Sequence, residues 1–138
     1  MPQDEKEELF KPITAREKWL TGQIVNIAIS VHRTLGPGLL ESVYERCFCY
    51  ELEKRNISYV KQKFVEIIYD KMIVADGLRI DILVDDLIII ELKTQESSHP
   101  VWSAQLLSYL RLTHKRLGYI LNFHVPLMKD GIKRMILN

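Results

Sequence analysis

Two cysteines, Cys47 and Cys49, are the only thiols in this chain of 138 residues. They stand two positions apart, so on a helix they point in different directions and cannot bridge. No CxxC pair or histidine-rich tract accompanies them, which leaves a zinc site without ligands. They read as reduced packing residues. Long apolar runs are missing too. No stretch approaches the roughly 18 residues that a membrane-spanning helix needs, so a membrane is not an expected partner. The first ten residues, "MPQDEKEELF", are acidic and hold no apolar leader segment. A cytoplasmic location is therefore expected. Internal repeats and low-complexity tracts are absent. What remains is 47% hydrophobic and 27% charged, the composition of a soluble globular protein, and the length suits one domain with one core.

The formal net charge is only +1, but it is unevenly spread. Residues 1–10 carry one lysine and four acids, while residues 94–138 carry six Lys or Arg and two acids. Residues 11–93 balance. A basic C-terminal third can track phosphates. A solvated charged surface gives the same pattern.

From Glu17 onward, Leu20, Ile24, Ile27, Val31 and Leu35 recur at helical spacing. Gly36-Pro37-Gly38 ends that helix, because Pro lacks an N–H and Gly permits positive φ. A second amphipathic helix is expected over about Leu39 to Arg55, with Leu40, Val43, Tyr44, Cys47, Phe48 and Leu52 as its core face. Past Asn56 the period changes from 3.6 to 2. "ISYVKQKFVEIIYD" reads as a strand, and "KMIVADG" leads to a turn expected near Asp76-Gly77. "LRIDILV" and "LIIIELK" are two more strands, joined at Asp85-Asp86. "SSHPVWSAQLLSYLRL" reads as a helix with serine caps ahead of Pro100 and an apolar stripe of Trp102, Leu106, Tyr109 and Leu110. "LGYILNF" is a further strand and "GIKRMILN" a last edge strand. The first three strands should be antiparallel, and the helix after the third permits a parallel crossover.

Three charges interrupt the apolar strands: Asp81, Glu91 and Lys93. Buried charges are costly unless they are paired or hold a metal. Residues two apart on a strand face the same way. Glu91 and Lys93 therefore share one face while Ile88, Ile90 and Leu92 share the other. Asp81 shares its face with Arg79 and Leu83. A three-residue loop, Asp85-Asp86-Leu87, sets Asp81 directly opposite Glu91. A two-residue loop sets them on opposite faces. Facing carboxylates destabilise a sheet, and a hard divalent cation reverses that sign. A lysine beside them can steady an attacking water or a developing negative charge. The plainer alternative is an ordinary ion pair on a solvated sheet face.

Asp81 followed by Glu91-Leu92-Lys93 on consecutive strands resembles the signature of the PD-(D/E)XK nuclease superfamily. "GLLESVY", Gly38 to Tyr44, resembles the G-x-x-E-x-x-Y pattern of a bacterial family within it. "QLLSY", Gln105 to Tyr109, resembles the Q-x-x-x-Y motif of its RecB-like branch. "LTGQIVNIAISVHRTLGPGLLESVYE" is similar to the usual start of the G-x-x-E-x-x-Y family. The resemblance spans about Leu20 to Leu137. It departs from the superfamily name in one place, since Ile80 rather than Pro precedes Asp81.

The resemblance implies an α/β, restriction-endonuclease-like core of helix, three antiparallel strands, helix and strand, with an extra N-terminal helix. Residues 1–16 would be an acidic, loose segment or a short lead-in helix, and residues 17–138 a single domain. It implies Mg²⁺ or Mn²⁺ as cofactor and nucleic acid, DNA above all, as partner. Asp81 and Glu91 would be metal ligands, joined by the carbonyl of Leu92. Glu41 would be an outer ligand or orient a water, although an acid in a first helical turn also suits the helix dipole. Lys93 would act on the water. Gln105 and Tyr109, one turn apart, would orient the site, or else be a surface residue and a core residue. None of the four histidines has metal spacing, and His99 reads as loop or capping. A catalytically silent module on the same fold, binding nucleic acid or a protein, is the alternative to an enzyme. A monomer and a homodimer are both compatible with the sequence.

Overall fold

A computed structural model of the protein describes residues 11–137. The expected loose acidic head falls mostly on residues 1–10 and so lies outside the described residues. Helix α1 spans Ala15–Leu35, two residues longer at its start than the periodicity suggests. A capping box explains the extension. Thr14 Oγ1 accepts from the Glu17 backbone N–H at 3.0 Å, and the Thr14 N–H donates to Glu17 Oε1 at 2.9 Å.

Helix α2 is Glu41–Lys54, β1 is Tyr59–Tyr69, β2 is Met72–Val84 and β3 is Ile88–Lys93. Helix α3 is Pro100–Thr113, β4 is Leu117–Asn122, and a single 3₁₀ turn, Met128–Gly131, leads into β5, Ile132–Ile136. The strands form one sheet in the order β1-β2-β3-β4-β5. β1, β2 and β3 pair antiparallel, β3 and β4 pair parallel, and β5 adds antiparallel at the far edge. This is the element order and strand sense expected from the sequence. No helix among the described residues is long and apolar enough to cross a membrane.

Two cores sandwich the sheet. Leu20, Ile24, Ile27, Tyr44, Phe48 and Leu52 of α1 and α2 pack on Ile82, Val84, Ile88, Ile90 and Leu121. On the other face Trp102, Leu106 and Leu110 of α3 pack on Leu78, Ile80, Leu83, Ile89 and Ile120. Ile88 and Ile90 therefore face α1 and α2 while Ile89 faces α3, as period-2 alternation demands. Truncating such a fully buried side chain costs about 2–5 kcal/mol.

Several local expectations need correction. The chain reverses at Asp70 and Lys71, not at Asp76-Gly77, because Tyr69 already pairs with Met72. Asp70 holds the positive φ, 57°, that a two-residue hairpin turn requires. Asp76, φ 53°, instead sits inside β2, where the register with β1 shifts between Val65 and Ile67. Leu40 is not core but 74% exposed. It is the extended residue just before α2, so helical spacing does not govern it. Cys47 packs against the core as expected but is only half-buried, while Cys49, not expected on that face, is buried within it; both thiols are free. His99, not a serine, precedes α3, and it makes no side-chain cap.

Candidate active site

The β2–β3 connection is the three-residue loop Asp85-Asp86-Leu87, since Val84 pairs with Ile88. That register, carried one step past Ile82–Ile90, sets Asp81 opposite Glu91. Regular pairing stops at that step. The Leu92 backbone N–H donates instead to Asp81 Oδ2 at 2.9 Å. The strict alternation expected along Arg79–Leu83 also slips here. Ile80 and Leu83, three apart, both pack on the α3 side, while Ile82 packs on the other. Across the ladder Gln62 has φ 51° and is missing from the β1–β2 pairs that flank it. The sheet is therefore locally deformed at Asp81, and the deformation turns this carboxylate onto the end of β3.

Seven residues singled out in the sequence line one cleft of about 390 Å³: Glu41, Asp81, Glu91, Leu92, Lys93, Gln105 and Tyr109. Phe64 and Arg79 complete its wall. Five elements converge there, with β1 bringing Phe64 and β2 bringing Arg79 and Asp81. The end of β3 brings Glu91 and Lys93, α2 brings Glu41 in its first turn, and α3 brings Gln105 and Tyr109. Lys93 Nζ lies 5.6 Å from the centre of the Trp102 ring, a cation–π contact that keeps the amine on the α3 side. Trp102 itself is a core residue, 7% exposed. Gln105 Nε2 donates to the Tyr109 hydroxyl at 3.3 Å.

The G-x-x-E-x-x-Y stretch has a visible structural logic. Gly38 has φ 95°, a conformation that L side chains rarely adopt. The Tyr44 hydroxyl donates to the Gly36 carbonyl at 2.5 Å and accepts from the Leu39 N–H at 3.2 Å. Its ring stacks on Phe123 with centroids 4.5 Å apart. Tyr44 thus pins the turn against the core, and the turn delivers Glu41 to the cleft.

The electrostatics are those of crowded acids. Burial, then the charge of Asp81, pushes the Glu91 carboxyl up to about 9. Burial and the same charge raise Glu41 above its ordinary value. Tyr109 is raised by burial and by Glu91. Glu91 Oε1 is buried and has no hydrogen-bond partner. Arg79 Nη2 lies 3.9 Å from Asp81 Oδ1, at the limit of an ion pair. Among the described residues no group of three or more His, Cys, Asp or Glu is assembled to hold a metal. The donor set nevertheless suits a hard cation. It has two neighbouring carboxylates, one with a partnerless oxygen, and the Leu92 backbone lines the same cleft.

Three other hollows are roomier, at about 600, 560 and 630 Å³. None of them brings two unpaired carboxylates together. In the first, Glu17 is paired with Arg116 and Asp86 with Lys115. The basic residues Lys133 and Arg134 are exposed on edge strand β5, apart from the acidic cleft. A family model described as the PD-(D/E)XK nuclease superfamily matches residues 18–135. The chain belongs to the PD-(D/E)XK nuclease superfamily. Its five-stranded mixed sheet between helices is the restriction-endonuclease-like α/β fold. Comparison with curated proteins and with solved structures found no match. Membership implies a nuclease, hence a hydrolase acting on nucleic acid, and members of this superfamily generally use divalent metals.

One feature of the site and one ion pair outside it escaped sequence reading. Phe64 carries no motif, and only the β1–β2 register reveals that it stands opposite Arg79. The Glu17–Arg116 pair joins residues 99 positions apart. A signal for Glu17 was present in the T-x-x-E capping pattern, but nothing local pointed to Arg116.

Proposed function

We propose that this protein is a Mg²⁺- or Mn²⁺-dependent nuclease that hydrolyses phosphodiester bonds of DNA. Within the superfamily we assign it to the G-x-x-E-x-x-Y family, on the RecB-like branch that carries Q-x-x-x-Y. One observation carries this reading. Asp81, Glu91 and Lys93 line one cleft with Glu41, and Glu91 keeps a buried oxygen with no partner. A module that only bound phosphate would gain nothing from clustered acids, because like charges repel.

Asp81 and Glu91, with the Leu92 carbonyl, are the groups that would hold the ion. When bound, a divalent cation offsets charge on the phosphate and lowers the pKa of water. Lys93 donates to the attacking water or to the phosphoryl oxygen on which charge develops. Glu41, raised in pKa and half-buried, orients that water from the helix side. Gln105 and Tyr109, hydrogen-bonded to each other, hold the α3 wall and the substrate strand in place. Water oxygen forms a bond to phosphorus as the bond to the leaving sugar oxygen breaks. No covalent enzyme intermediate is required.

The test is a cleavage assay of purified protein on single-stranded and duplex DNA and RNA, in Mg²⁺, in Mn²⁺ and in chelator. The expected outcome is cleavage of DNA with either ion and none in chelator. Salt-sensitive binding without cleavage under any metal would instead favour the silent binding module.

A further inference from the structure

One wall of the cleft is not used by the chemistry above. Phe64 of β1 lines the cleft and is 58% exposed. Its ladder partner on β2 is Arg79, which lines the same cleft with its side chain 53% exposed. Single exposed apolar residues are ordinary on a protein surface. The hairpin beyond Phe64 carries several, including Ile68, Tyr69 and Ile73. Phe64 differs from these by position. It lines a cleft whose wall is mostly charged or polar, with Glu41, Arg79, Asp81, Glu91, Lys93 and Gln105 around it. At 58% exposure its ring offers apolar π surface to a planar ligand in the cleft.

Cross-strand partners directly opposite each other have Cβ atoms about 4.5–5.5 Å apart. The Phe64 ring and the Arg79 guanidinium therefore leave adjacent points on the strand ladder. Arg79 is only loosely tied, 3.9 Å from Asp81, so its donors are available to an anion. A ring beside a guanidinium matches one nucleotide unit, which presents a π face next to a phosphate. We propose that Phe64 is a base-stacking platform and Arg79 its phosphate contact. The site would then take a nucleic-acid strand with an unpaired base beside the scissile phosphate. This rests on the nuclease reading and narrows its substrate class. Internal bases of a duplex are already stacked on both faces. They can use the ring only after unstacking, whereas an unpaired base uses it directly.

The test measures binding of labelled single-stranded and duplex DNA to the full chain in Ca²⁺, a hard oxygen-seeking cation. Phe64→Ala should weaken single-strand binding about tenfold and leave duplex binding unchanged. Phe64→Trp should restore it, and the added indole emission should be quenched by single-stranded DNA but not by duplex. Arg79→Ala should weaken both forms and flatten the salt dependence by a slope of about 1. Phe64 is exposed, so melting curves should match wild type. An equal loss for both DNA forms on Phe64→Ala, or no loss in either, overturns the stacking role. If that happens while wild type still cleaves, the nuclease reading stands without it. If wild type neither binds nor cleaves either form, both readings fall together.

Discussion

The backbone N–H of Leu92 donates to Asp81 Oδ2 at 2.9 Å, inside a sheet whose regular pairing has just ended. That single bond ties the β2 acid to the strand segment carrying Glu91 and Lys93. Both acids are buried, at 4% and 5% exposure, and the Asp81 charge adds to burial in raising the Glu91 carboxyl.

Metal linkage follows from this crowding. Binding to the native state alone stabilises by about 2.7 kcal/mol at a hundredfold excess over Kd. Mg²⁺ or Mn²⁺ should therefore raise the melting temperature of wild type. Asp81→Asn keeps an acceptor for the Leu92 N–H but removes the charge, so the metal-induced shift should vanish while the fold survives. An equal shift in both proteins would mean that the metal binds elsewhere.

Chemistry and binding should separate by residue. Lys93→Ala should abolish cleavage, lowering kcat along with kcat/KM, while metal-dependent stabilisation stays intact. Neutralising Lys133 and Arg134, exposed on β5, should weaken DNA binding across sequences and reduce the salt slope by roughly 1 per lost contact. Single-turnover cleavage and binding at several salt concentrations read the two effects. Cleavage by Lys93→Ala at the wild-type rate would reduce Lys93 to a bystander.

Acid stability should depend on Glu17 and Arg116. Arg116 Nε donates to Glu17 Oε2 at 3.0 Å and Nη2 to Oε1 at 2.5 Å, with Glu17 only 4% exposed. The guanidinium, helped by Thr14, holds the Glu17 carboxyl down to about 2 from an ordinary 4.5. A lowered folded pKa gives stability that is full above about pH 4.5 and is lost as pH falls toward 2. Arg116→Ala should cost on the order of 3 kcal/mol at neutral pH, because it strands a buried charge. It should also flatten this acid limb of the stability curve. Denaturant unfolding across that pH range checks both, and an unchanged acid limb would assign the dependence to another group.

The turn before α2 should loosen on Tyr44→Phe. The variant keeps the ring stacked on Phe123 but loses the hydroxyl that bonds Gly36 and Leu39. A cost of about 1 kcal/mol is expected, with a fall in cleavage as Glu41 shifts. Unfolding midpoints and kcat measured together would reveal it. Reduced stability with unchanged kcat would show that the turn does not position Glu41 for catalysis.

Much of this molecule was legible locally. Helical spacing and β-rich runs gave the order of the helices and strands, though β2 starts at Met72 and not at Leu78, and the parity of Ile88, Ile90 and Leu92 against Glu91 and Lys93 holds in the sheet. Local reading failed where special backbone conformations occur. Asp76-Gly77 looked like a turn because those residue types favour positive φ, yet here that φ serves a register shift within a strand. Leu40 fitted the helical stripe but lies outside the helix.

By itself, the sequence determined which residues could share a face, because strand parity and helical spacing are properties of a few consecutive residues. It also determined the donor chemistry, since acids and a lysine at those positions are simply its letters. The tertiary structure alone decided that the β2–β3 loop has three residues, that the sheet deforms at Asp81, and that α2 carries Glu41 into the same cleft as Glu91. It alone raised the Glu91 carboxyl and joined Glu17 to Arg116. Desolvation and through-space charge depend on what packs around a group, and the groups that pack here come from segments far apart in the chain.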